Sequence, residues 1–164
     1  MINARRGPAI GGLAFLLLLT SACGPTPLLN TQPSADALVR EVLTAVSRQD
    51  EGRLRALALD EGEFRRHVWP ALPAARPERN VPFSYVWGDL RQKSNGRLRA
   101  TLGAHGGRNY QFTSVSFSGG TTAYAGFAVH RDAVLVVRGA DGIEQQLRIF
   151  GSAIEKDGAW KVFS

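Results

Sequence analysis

Three histidines, one cysteine and a large set of arginines are the side chains in this 164-residue sequence that could carry chemistry. His67, His105 and His130 fall in three separate stretches, with neither a His-Glu-x-x-His nor a paired-cysteine spacing to accompany them. They read as surface or capping histidines, so no metal site and no cofactor are expected. His105-Gly106-Gly107 has the letters of an oxyanion-hole loop, but the Gly-x-Ser-x-Gly elbow that such chemistry needs is absent. A helix stop explains both glycines. His130-Arg131-Asp132 matches a phosphoryl-transfer catalytic loop by letters only, and without a phosphate-binding loop it reads as a turn between strands. Asp89 stands four residues before Lys93, the spacing of an exposed helical ion pair. Arg97 follows Leu90 by seven residues and projects onto the same apolar face. It could meet an anionic ligand bidentately, or lay its stem on apolar surface with the guanidinium in water. Trp69, Tyr85, Trp87, Tyr124 and Trp160 either line a pocket for an apolar ligand or form plain core. Arg65, Arg66, Arg76 and Arg79 make a small basic region, a solvated loop by default and otherwise a contact for anionic headgroups.

The formal charge is +6, yet no basic stripe with interleaved aromatics appears, so nucleic acid is not an expected partner. With a single cysteine, an intramolecular disulfide framework is excluded. Arg5 and Arg6 precede an almost purely apolar run, Ala9 to Leu19, which is about half the ~20 residues a membrane span requires. A basic start, a short apolar core and small residues after it describe a secretory signal. Leu19-Thr20-Ser21-Ala22-Cys23 resembles the bacterial lipobox. The resemblance implies a signal peptide over residues 1–22, a diacylglyceryl thioether on Cys23, and acylation of the new amino terminus. The other reading is a buried thiol beside an ordinary cleavage site. Several acyl chains would hold the chain on a membrane, so the expected location is the cell envelope. Gly24, where an Asp would signal inner-membrane retention, implies the periplasmic face of the outer membrane if the source has two membranes.

The elements that position these residues can be read from the patterning. Residues 23–33 are uncharged and Pro-rich and read as an extended tether, followed by one domain over 34–164. Ser34 caps a helix carrying Leu38, Val39, Val42, Leu43 and Val46 at helical spacing to about Arg48. A second helix is expected over Glu51 to Leu59. Asp60 and Glu63 are spaced as a capping box for a third, which should stop by Trp69 ahead of Pro70. A proline-rich connector leads to one long helix from Phe83 to about Ala104. The rest reads as strand. Tyr110 to Phe117 has a phase change near Thr113 that suggests a bulge, and Ala123, Ala125, Phe127 and Val129 alternate as a single strand. Ala133 to Val137 follows, then Ile143 to Glu155 and Ala159 to Phe163, with Asp-Gly hairpin signals at 141–142 and 157–158. Helices first and an antiparallel meander last give an α+β fold.

That order, together with the ending Gly151 to Phe163 with its Asp-Gly and Trp-Lys-Val, resembles the NTF2-like cone fold of the SnoaL and ketosteroid-isomerase type. A cystatin-like helix-on-sheet domain would read similarly. The resemblance implies helices closing one side of a curved antiparallel sheet around a conical cavity. In such a cone an enzyme needs an acid or base held in apolar surroundings, and the candidates are Asp89, His67 and His130. A binding cavity would use Arg97, Trp87 and Tyr85. The leading expectation is non-enzymatic binding of a small apolar or anionic ligand, or of an envelope protein. The alternatives are a small-molecule isomerase or hydrolase and a structural lipoprotein that homodimerises through its sheet.

Overall fold

In the computed structural model, residues 26–164 are described. The first helix, α1 (Ala35–Ser47), begins as its sequence dictates: Ser34 Oγ accepts the Ala37 N–H, and Asp36 complements the dipole in the first turn. Its apolar face is fully buried. Asp50 caps α2 (Glu51–Leu57) by accepting the Arg53 N–H. This helix stops two residues earlier than the apolar spacing suggests. Ala58 turns extended and pairs with Val162, and the Leu59 N–H bonds the Val162 carbonyl, so a strand edge takes these backbone groups from the helix.

The capping box at Asp60 and Glu63 forms as expected around α3 (Glu61–Glu63). The chain then widens into a π-helical turn at Phe64–Val68 and tightens into a 3-10 turn at Trp69–Ala71. Trp69 thus remains helical although Pro70 follows, and the helical path ends at Ala71 rather than Trp69. Two further 3-10 turns form the connector, which leads to α4 (Phe83–His105) as one uninterrupted helix.

Seven strands follow, and they do not form a simple meander. Strands β1 (Gln111–Phe117), β4 (Ala133–Arg138) and β5 (Glu144–Leu147) make one antiparallel sheet in the order β1-β4-β5. The expected bulge lies between Phe112 and Ser114. Strands β2 (Thr121–Tyr124), β3 (Phe127–Arg131), β6 (Ser152–Lys156) and β7 (Ala159–Val162) make the second, in the order β2-β3-β6-β7. The stretch with alternation from Ala123 to Val129 is a hairpin rather than one strand, because the chain reverses at Gly126 with φ of 86°. Likewise Ile143 to Glu155 divides into β5 and β6 around Ile149 and Phe150. A single left-handed residue, Asp132 (φ 57°), carries the chain from one sheet to the other. The β6–β7 turn has positive φ at both Asp157 and Gly158, the geometry that favours Asp-Gly in tight hairpins.

Helices therefore precede a curved antiparallel β-structure, and the α+β class is as the sequence indicates. The β3-β6-β7 sheet is covered on both faces. Ala153 and Val162 look toward a core built with α1, α2, Leu135, Leu147, Ile149 and Phe150. Val129 and Ile154 look toward a second core with Leu28, Leu59, Phe64 and Val68, roofed by Phe83, Val86, Trp87 and Leu90 of α4. From Leu28 on, the extended N-terminal stretch belongs to this packing: Leu28 is buried, and Gln32 exchanges two backbone hydrogen bonds with Trp160 at the β7 edge.

Candidate functional site

Between α2, α4 and the C-terminal strand lies a cavity of ≈ 180 Å³. Its wall is apolar, built from Leu54 and Leu59, from Leu90 and Leu98 of α4, and from Ile149 and Phe150 after β5. Each element delivers its side chains for a local reason. The α4 residues recur at helical spacing, Leu59 is aimed by its backbone bond to β7, and the Ile149 carbonyl accepts the hydroxyl of buried Thr101 at 3.0 Å. That hydroxyl pins the β5–β6 connection to the helix.

The rim is cationic. Arg55, Arg91 and Arg97 line the cavity, and among the described residues no Asp or Glu side chain does. Arg55 is occupied, with Glu51 at 2.7 Å and Asn95 Oδ1 at 2.7 Å. Arg91 and Arg97 have no ion pair or side-chain hydrogen bond among the described residues. Arg97 is exposed and also borders a wider groove of ≈ 930 Å³ along α4, shared with Lys93, Gly96, Ala100, His105 and Arg148. Trp87 contributes a wall of the cavity, and its Nε1 is buried with no hydrogen-bond partner. An unpaired buried donor costs on the order of 1–3 kcal/mol.

Arg97 and Trp87 are thus brought to the cavity together, while Tyr85 is not. Tyr85 is 73% exposed, two residues before Trp87 and so on the opposite side of α4, and its place among the lining residues is corrected. Asp89 forms the exposed ion pair with Lys93 at 2.7 Å and stands at the border of the outer groove. His67 sits on the π-helical turn with its Nε2 buried and unpartnered. Burial, followed by the charges of Lys156 and Arg66, holds its imidazole below the ordinary 6.5. His130 lies on β3, on the sheet face of Trp160. It stacks on that indole at 4.5 Å, contacts Thr121 Oγ1 at 2.9 Å, and faces Glu155 at 3.4 Å. None of Asp89, His67 and His130 lines the cavity. Of the other aromatics, Trp69 and Tyr124 pack on the second core and Trp160 on the first. Within the basic region, Arg65 pairs with Glu61 at 2.9 Å and lies 3.6 Å over the Phe83 ring. Cys23 lies outside the described residues.

Sequence reasoning missed Arg91, Ser94 and Asn95 on the rim, although they follow Leu90 within a turn and a half. It also missed a buried ion pair. Glu63, with no exposure, meets Lys161, at 2%, across 2.6 Å. Glu63 Oε2 also accepts the Asp60 N–H, and its Oε1 accepts the Leu29 N–H at 2.7 Å. One carboxylate therefore fastens the N-terminal segment, α3 and β7. Lys161 carried a signal for this, since strand alternation puts it on the same face as Phe163.

No protein family, curated protein or solved structure matches the chain at a significant level.

Proposed function

We propose that this is a lipid-anchored cell-envelope protein whose NTF2-like domain binds a small apolar or anionic ligand without transforming it. The observation that carries the binding reading is the cavity itself, apolar within and bordered by Arg91 and Arg97, which have no ion pair among the described residues. A catalytic reading finds no support there, because the three titratable candidates lie elsewhere. Nor does an observation favour dimerisation through the sheet. Leu29, Tyr85 and Ile143 are the exposed large hydrophobics among the described residues, and they lie on three separate segments. Anchoring rests on the lipobox-like sequence ending at Cys23, and the element order supports the family reading.

The test is native mass spectrometry of the protein extracted from its own host, wild type beside Ser94→Phe. Ser94 lines the cavity and is half-buried, so a phenyl ring there would fill the void. Wild type should retain a small molecule that the variant lacks, and both should carry the mass of acylation at Cys23. Equal apo masses for the two would contradict the binding reading. An unacylated mature mass would contradict the anchor.

A further inference from the structure

We propose that the cavity selects a monoanion of one-ring size, an aromatic carboxylate or its short branched equivalent, with the body inside and the carboxylate at Arg97 and Arg91. This rests on the binding reading above and narrows it by volume and by charge.

Volume sets the body. An apolar cavity of roughly 150 Å³ accommodates benzene, whereas drug-sized ligands occupy roughly 300–1,000 Å³. At ≈ 180 Å³, the space between Leu54, Leu59, Leu90, Leu98, Ile149 and Phe150 is of the size that suits one ring. Charge sets the head. Arg55 is already satisfied by Glu51 and Asn95, which leaves the forked donors of Arg91 and Arg97 free at the mouth. A guanidinium matches a carboxylate with two parallel N–H donors, and among the described residues no Asp or Glu side chain lines the cavity to receive a cationic head.

Titration calorimetry of the full-length protein in lipid nanodiscs, with four probes of graded charge and size, tests this. Phenylacetate should bind about tenfold or more tightly than benzyl alcohol, the gain expected of a charge-assisted pair, and benzylamine and biphenyl-4-carboxylate should not bind. Arg97→Gln should remove that tenfold for phenylacetate and leave benzyl alcohol unchanged. Equal affinity for the three one-ring probes, or preference for the two-ring acid, would overturn the inference while leaving the cavity a binding site. No binding by any probe would overturn it as well. The broader reading then stands or falls on whether Ser94→Phe loses a host-derived mass.

Discussion

A carboxylate with no solvent exposure needs partners for both oxygens, and Glu63 has three: Oε1 accepts the Leu29 N–H, and Oε2 accepts from the Asp60 N–H and from Lys161 Nζ. Breaking such a pair strands a buried charge. Glu63→Ala is therefore expected to cost about 3–5 kcal/mol in urea unfolding, and a loss below about 1 kcal/mol would contradict the account. The two histidines held below 6.5 give a pH signature. His67 is shifted chiefly by burial, then by Lys156 and Arg66 against the opposing Glu63 and Asp157; His105 is shifted by burial, then by Arg108. The unfolded chain takes up protons at these sites before the folded one does. Stability should hold above about pH 6.5 and fall as the pH drops below it, and His67→Gln should flatten the urea midpoint across that window. An unchanged slope would show that His67 does not contribute. At this scale the sequence was legible where chemistry is local: the Ser34 cap, the Asp60 box and the Asp89–Lys93 pair. Strand alternation hints at the inward face of Lys161, but its partner, 98 residues away, was not legible.

Elements form where local pattern and tertiary contact agree. The long helix α4 was legible from one apolar arc. It runs through Gly88, Gly96 and Gly103, where a Cβ in place of the glycine hydrogen would meet nothing within 4 Å. These glycines meet no steric demand, so Gly88→Ala and Gly103→Ala should each stabilise by about 0.5–1 kcal/mol in thermal or urea unfolding. Destabilisation by either would reveal a constraint on the helix. Thr101→Val should cost about 1 kcal/mol, since the Ile149 carbonyl loses its buried donor. It should also loosen the cavity wall, read as faster amide exchange at Ile149 and Phe150. Where elements were misread, backbone competition is the reason. Ala58 and Leu59 leave α2 for the β7 edge, and the reversal at Gly126 keeps apolar alternation on both sides of a turn, which periodicity alone reads as one strand.

At the scale of the molecule, the docked N-terminal segment limits how far the domain can stand from an anchor. Only Gly24, Pro25, Thr26 and Pro27 separate Cys23 from buried Leu28, a reach of at most about 18 Å. With acylation at Cys23, the exposed Leu29, six residues on, would lie within about 22 Å of the anchor. A fluorophore at position 29 should be quenched by headgroup-labelled lipid in the wild type and not in Cys23→Ser; equal quenching in both would contradict anchoring through that residue. The fold class was visible in the order of elements. The sheet-to-sheet switch at Asp132 was not, since it depends on long-range pairing. Arg97 and Trp87 could be placed from helix phase, but the volume they enclose needed Ile149 and Phe150, which arrive from the far side of the fold.

Whether this volume takes a ligand is read most directly by methyl NMR. With Leu54, Leu90, Leu98 and Ile149 labelled, titration with an organic extract of the host envelope should shift these methyls and leave those of Leu135 and Val137 unmoved. Ser94→Phe should abolish the shifts. Shifts centred on the sheet, or none at the cavity methyls, would contradict the account.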